Sequence, residues 1–333
     1  MSDQNLVEET LAGDDHVRPF HVQRLDVRGR AVQIDPLLNS ILHRHNYPAP
    51  VARLLGEAIV LTALLGTTLK FEGKLILQTQ SDGPVTMMVV DFRTPDAIRA
   101  YAAFNAEDVW VASNEKRDSP AELLGKGTLA MTIDQGPHTS RYQGVVALEG
   151  DGLAAAAHQY FMQSEQIPTR LKLSVAELME PAKAGAHPTR RWRAGGLLVQ
   201  FVPESADRLR GPDLPSGDPT FDETMIDMTD DAWVEAEALL ETVSDHELTD
   251  PGIAVERLIF SLFHESGVHV YPPQQLLDRC SCSPEKITEL LTQFSAEELD
   301  QSADDDNRIS VTCEFCSTCY SVERDEIHPN TTG

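Results

Sequence analysis

No cysteine occurs in the first 279 residues of this chain, and positive charge is scarce throughout. Only 27 Lys and Arg stand against 53 Asp and Glu, a formal net charge of −26. A nucleic-acid binder needs Lys and Arg to displace counterions from phosphates, so nucleic acid is excluded as a general partner. An anionic membrane surface is disfavoured on the same ground, whereas solubility is favoured. The N-terminus offers no leader: Met1 to Thr10 is polar and acidic, with neither an apolar run nor a small-residue cleavage site. A cytoplasmic chain is therefore expected, and structural disulfides are not. No membrane span is expected either. The most apolar stretch, Ala49 to Leu69, carries Arg53 and Glu57, and Val51, Leu54, Leu55, Ala58, Leu61 and Leu65 fall on one helical face. That pattern predicts an amphipathic core helix. Phosphate-loop and dinucleotide fingerprints are also missing.

What the chain does have is five cysteines in its last 54 residues. Cys280-Ser281-Cys282 is followed by 30 residues and then Cys313-Glu314-Phe315-Cys316. Two local pairs of thiols far apart in sequence present four ligands to one ion. Soft thiolates in a tetrahedral set favour zinc. Free core thiols would be scattered rather than gathered at one end. Cys319 extends the second pair and leaves one sulfur spare, so spacing alone leaves the ligand set open. His264 and His269 lie near the cysteines in sequence, although four sulfurs already suffice. Solvated or capping roles are expected for His43 and His45, and turn or helix-end hydrogen bonds for Asp134 and Glu165.

In chain order, residues 1–17 read as a disordered acidic arm, and 18–210 as one α+β domain on antiparallel strands. Phe20 to Val27 is extended, with Gly29 at a turn. Hairpins are expected at 74–90, around Ser81-Asp82-Gly83-Pro84, and at 128–148, around Asp134-Gln135-Gly136-Pro137. A helix through Leu153, Ala157, Tyr160 and Phe161 precedes strands at 170–174 and 195–202. The segment from Ala182 to Trp192, with Lys183, Arg190, Arg191 and Arg193 near it, reads as a lengthened loop.

Residues 211–266 form an acidic helical linker. Its first 40 residues hold thirteen Asp and Glu and no Lys or Arg. Thr229 is placed to cap a helix carrying Trp233, Ala236, Leu240 and Val243. A second helix around Ile253 to His264 presents Val255, Leu258, Ile259 and Leu262. With no Lys or Arg in those 40 residues, the linker is expected to rest on few apolar contacts, able to be packed or released. Residues 267–326 form the small zinc-binding domain, and 327–333 a tail.

Several strings together resemble the redox-regulated thirty-three-kilodalton heat-shock protein family of holdase chaperones. They are Cys280-Ser281-Cys282-Ser283, Val311-Thr312-Cys313-Glu314-Phe315-Cys316, Thr132-Ile133-Asp134-Gln135-Gly136, Tyr142-Gln143-Gly144-Val145-Val146, and Tyr160-Phe161-Met162-Gln163-Ser164-Glu165-Gln166-Ile167-Pro168-Thr169. The resemblance covers residues 18–322. It implies a substrate-binding α+β domain, a helical linker resting on it and a C-terminal zinc switch. Cys280, Cys282, Cys313 and Cys316 would hold one Zn(2+) per chain when reduced. On oxidation they would pair as Cys280–Cys282 and Cys313–Cys316 and give up the metal. The implied partners are unfolded or partly folded client proteins, with a homodimer on oxidation, and no enzymatic activity. Cys319 departs from the family pattern and adds either a substitute ligand or an alternative disulfide partner.

Two other classes compete. A thiol–disulfide oxidoreductase would use Cys313-Glu314-Phe315-Cys316 for exchange, but such motifs open a helix, and this one follows a strand-like Arg308 to Thr312. A constitutive zinc adaptor would keep its metal under peroxide.

Overall fold

The computed structural model describes residues 13–136, 141–149, 152–180, 189–202 and 230–328. β1 (His16–Val22) and β2 (Val27–Ile34) form a hairpin closed at Asp26, whose φ of 49° turns the chain. The acidic arm therefore ends before His16, and residues 1–12 lie outside the described set. Gly29 is inside β2 rather than at a turn. It lies opposite Phe20, and a Cβ there would sit 2.0 Å from the Phe20 ring, so only glycine lets that ring lie on the strand.

Helix α1 (Pro36–His45) was not anticipated. Its first turn is closed by Asp15, whose carboxylate accepts from the Asp35 and Leu37 amides at 3.0 Å. Helix α2 (Ala49–Gly66) follows. Its apolar surface is not one stripe: Ile59, Val60 and Leu64 are as fully buried as Leu54 and Leu61. A helix apolar all round must be enclosed, and α2 is packed between two sheets.

The second sheet is built from β3 (Lys74–Ser81), β4 (Val85–Arg93), β5 (Ala97–Phe104), β6 (Lys126–Asp134) and β7 (Tyr142–Glu149), ordered β5-β4-β3-β6-β7. Helices α3 (Ala106–Asn114), capped by Asn105, and α4 (Pro120–Leu124), capped by Ser119, interrupt it. Helix α5 (Gly152–Tyr160) then leads to β8 (Thr169–Glu180) and β9 (Thr189–Phe201), which complete the first sheet in the order β1-β2-β9-β8. The predicted loop around 182–193 is shorter than expected. Arg190, Arg191, Trp192 and Arg193 belong to β9, and residues 181–188 are outside the described set. Arg193 is held by Asp14 and Asp35 at 2.7 and 3.2 Å, a structural role.

The linker helices are α6 (Asp231–Glu241), α7 (Asp245–Thr249) and α8 (Val255–Phe263). Asp230, not Thr229, caps α6, by accepting from the Ala232 amide at 2.8 Å. The Gly/Pro-rich stretch 211–219 is outside the described residues. The three helices cover the face of the first sheet opposite α2. Trp233, Leu240, Val243, Leu248, Leu258, Ile259 and Phe263 bury against Phe20, Val22, Val27, Leu197, Val199 and Phe201, and Leu262 packs at the margin. Gly195 permits this approach: a Cβ there would lie 2.1 Å from the Leu248 carbonyl oxygen of α7.

The expectation of few contacts and no compensating charge thus gives way to a full apolar interface, with cations supplied by the sheet. Arg18 donates from Nε to Glu256 at 2.9 Å, Arg170 pairs with Glu237 at 2.9 Å, and the Gln33 amide donates to the Ile253 carbonyl at 2.8 Å.

Residues 268–278 then cross from one sheet to the other. β10 (Val268–Val270) and β11 (Gln274–Gln275) pair antiparallel with β1, and β12 (Leu277–Asp278) pairs parallel with β5. This stretch, read from sequence as part of the zinc domain, is an edge of both N-terminal sheets. Beyond it lie α9 (Pro284–Leu291), α10 (Ala296–Ser302) and the hairpin of β13 (Arg308–Thr312) and β14 (Cys319–Glu323).

Candidate metal centre

Cys280 and Cys282 leave the end of β12, which is fixed by its pairing with β5 and by the Arg279 amide donating to the Ile98 carbonyl at 3.2 Å. Cys313 and Cys316 occupy the turn between β13 and β14. That turn is closed by the Ser317 amide donating to the Cys313 carbonyl at 2.8 Å and the Cys313 amide donating to the Thr318 carbonyl at 2.9 Å. Ser317 takes a left-handed φ of 56° to allow it. The strand after the motif, rather than a helix, removes the context an exchange-type Cys-x-x-Cys motif needs.

The four sulfurs converge, all within 4.8 Å of one another. Cys280 and Cys313 are 3.7 Å apart, and Cys282 and Cys316 are 3.4 Å apart. A tetrahedral ion with Zn–S bonds of 2.3 Å requires sulfur–sulfur edges of about 3.8 Å, so the donor set fits zinc in size and in chemistry. Cys319 is exposed on β14, opposite Thr312, and is not in this group. His264 stacks on Phe260, and His269 packs on Tyr271; neither joins the thiols. His45 lies against the rings of Tyr47 and Tyr101, while Asp134 pairs with Lys74 and Arg141.

The electrostatics of the thiols are uneven. Burial pushes Cys282 up to about 12, against the Tyr320 hydroxyl, which donates to its sulfur at 3.0 Å. Burial also raises Cys313. At Cys316 burial acts upward too, but hydrogen bonding with Thr318 and with the Cys282 and Cys313 thiols outweighs it and brings the group down to about 6. Sulfurs this close cannot all be charged unless a cation sits among them.

Among the described residues, Arg99 is the N-terminal side chain that touches a thiol, with Arg44 and Tyr101 reaching Phe315 beside it, and no local pattern anticipates these contacts. Arg99 of β5 lies 3.6 Å from Cys280 Sγ, stacks over the Phe315 ring with its guanidinium carbon 3.9 Å from the centroid, and is braced by Asp91 at 2.6 Å. Cation–π stacking and a charge-assisted bond to sulfur at one residue bind the thiol module to the second sheet. Arg44 of α1 adds an ion pair to Asp278 just before the first cysteine. Arg99 and Cys280 are 181 residues apart, a separation no local pattern can bridge.

The family model described as Hsp33 protein matches residues 15–323. The chain is 42% identical over 320 residues to a 33 kDa chaperonin of Caulobacter vibrioides, covering 96% of this chain and 98% of that one. It is 31% identical over 324 residues to a 33 kDa chaperonin of Serratia proteamaculans, covering 97% of each. The crystal structure of a 33 kDa chaperonin from Thermotoga maritima shares the fold with a TM-score of 0.68, at 20% identity, over 94% of this chain and 96% of that one. With an α+β body, a helical cover on one sheet and four converging thiols at its C-terminal end, the chain belongs to the Hsp33 protein family.

Proposed function

We propose that this chain is a redox-regulated holdase: a cytoplasmic chaperone, not an enzyme, that binds unfolding proteins under oxidative stress. When reduced, Cys280, Cys282, Cys313 and Cys316 hold one Zn(2+), and the linker lies on the first sheet. Oxidation joins Cys280 to Cys282 and Cys313 to Cys316; formation of each disulfide from two thiolates releases two electrons, which with two protons from solvent convert one peroxide to two waters. All four sulfurs lie within 4.8 Å of one another, so each local partner is within reach. Disulfide sulfurs no longer serve as thiolate ligands, and the module loses the interaction that holds it folded. On this reading residues 18–210 form the substrate-binding domain, 211–266 the linker and 279–326 the switch, with 268–278 joining them as an edge of both N-terminal sheets.

The observation that carries this reading is the linker interface. Nine linker side chains, from Trp233 to Phe263, cover seven from the first sheet and Leu25 of its β1–β2 turn, and the chain continues from the linker through β10, β11 and β12 to the metal centre. Release of the linker would expose an apolar surface larger than a soluble monomer normally shows. The formal charge of −26 would keep such a state in solution.

The test measures zinc content and suppression of client aggregation on the same samples before and after peroxide. Zinc loss accompanied by gain of holdase activity is expected. Retention of zinc under peroxide would leave a constitutive adaptor, and catalytic turnover of a small disulfide would leave an oxidoreductase.

A further inference from the structure

An open cleft of about 1740 Å³ lies between the second sheet and the thiol module. Its charge is opposite to that of the molecule. Seven of the 27 Lys and Arg line it, against four carboxylates, in a chain whose formal charge is −26. Lys70, Lys74, Arg93 and Arg141 line the cleft from the N-terminal domain, Arg279 from the segment pinned to β5, and Lys286 from α9 of the thiol module. Arg99 lies at the junction.

Internal pairing leaves part of this charge uncompensated, even with Cys280 in the lining, whose cluster would carry a formal −2 with zinc bound. Asp91 neutralises Arg99, and Asp96 lies 3.7 Å from Arg279. Asp134 is shared by Lys74 and Arg141. Lys286 donates to the Ser281 carbonyl at 2.5 Å, a partner without charge. Lys70 and Arg93, both exposed, have no hydrogen bond or ion pair among the described residues. The remaining carboxylate, Glu72, cannot balance them.

We propose that this cleft binds a chain of phosphoryl groups, either inorganic oligophosphate or the oligophosphate of a nucleotide. The cations stand on two separate walls of a wide cleft, so one small ion cannot engage both, whereas a linear polyanion can. Arginine forks and lysine point charges together suit phosphoryl oxygens. A phosphate chain also carries charge more densely than the side chains of an acidic peptide, which matches cations clustered at the adjoining ends of β3 and β4. Elsewhere the acidic surface repels such ligands, so attraction would be confined to the cleft. A ligand touching both walls strengthens the docking of the thiol module on the second sheet.

The test titrates sodium tripolyphosphate into the reduced, zinc-loaded full chain by calorimetry, with zinc content measured afterwards. One-to-one binding that weakens as salt rises is expected, with orthophosphate at least about tenfold weaker. Arg93→Glu and Lys286→Glu, one from each wall, should each weaken binding about tenfold or more. Lys116→Glu changes the net charge equally but lies outside the cleft, and should have little effect. ATP binding as tightly as tripolyphosphate would assign the site to the phosphate chain alone, and much tighter ATP binding with competition by adenosine would assign it to nucleotides. No binding at millimolar tripolyphosphate, equal weakening by Lys116→Glu, heat accounted for by zinc extraction, or preference for an acidic peptide over tripolyphosphate would each overturn the proposal.

Discussion

Forty-four buried apolar side chains form one continuous core around α2, whereas only Ile287, Leu291, Leu299, Ile309, Val322 and Ile327 form the core of the thiol module. None of those six is aromatic. The first region can hold its fold through burial alone, while the second needs a further source of cohesion. A structural zinc contributes roughly 10–16 kcal/mol of apparent folding free energy to a small module, as much as the about 9–18 kcal/mol that six aliphatic side chains supply before the cost of ordering the chain is met. Between these extremes lies the linker interface, apolar and well packed, yet contributed by helices too short to persist without the sheet. Stability is therefore graded along the chain, and a metal held by the four thiols would support its weakest part.

The largest break in this comparison should come from Cys316→Ser. Loss of one ligand should remove most of the metal's contribution, on the order of 10 kcal/mol, and unfold residues 280–327 under reducing conditions. Amide exchange would show this region open and residues 74–134 still protected. Equal protection in both regions would mean that the module's small core suffices.

Gly195→Ala should separate linker from metal. The added methyl would meet the Leu248 carbonyl, and overpacking of this kind costs about 1–3 kcal/mol. Faster exchange over residues 245–263 is expected with zinc fully retained, accompanied by holdase activity without oxidant.

Glu57→Gln should strengthen the N-terminal side instead. Burial pushes this carboxyl up to about 7, with Arg53 opposing the rise and Asp245 of α7 adding to it. The ordinary value is 4.5. Between the two, the native state binds a proton that the unfolded state has lost, so the parent's stability falls as pH rises through this window and then levels off. The amide should abolish that fall. Denaturant melts should show a gain at pH 8 of at most about 3 kcal/mol, and none near pH 4.

The smallest effect belongs to Cys319→Ser, which should leave zinc content and reduced stability unchanged, because its sulfur lies outside the four-thiol group. A loss of zinc comparable to that in Cys316→Ser would reassign the ligands.

Much of the site could be read from the sequence because its ligands are local pairs: Cys280 with Cys282, and Cys313 with Cys316. The hairpins at 74–93 and 126–149 were legible from turn residues flanked by alternating strands. The double cover of the first sheet also left a trace. Leu197-Leu198-Val199 is an unbroken apolar run, and such a run marks a strand buried on both faces. Leu198 faces α2, whereas Leu197 and Val199 face the linker. Other features left none. Helix α1 depends on a cap from Asp15, twenty residues before Asp35. The six residues assigned to the α2 stripe are all buried, but the stripe was incomplete, because the helix is apolar on its other face too and packs there against another sheet. The cations that hold the acidic linker come from β1 and β8, so composition within the linker could not reveal them.

The segment that crosses from β1 to β5 also sets an order of events. Its ladders join three, two and two residue pairs, and Pro272 and Pro273 separate the first from the rest. Such short ladders do not fail together. With its C-terminal end no longer held at Cys280, the segment would peel like a zipper, β12 first, then β11, and β10 last. Each step sacrifices only a few hydrogen bonds, and α8 is reached only when the last has gone. Under the proposed redox function, brief opening at the thiols would reseal before the linker moved, and the strand pairs between thiols and linker would filter out transient oxidation.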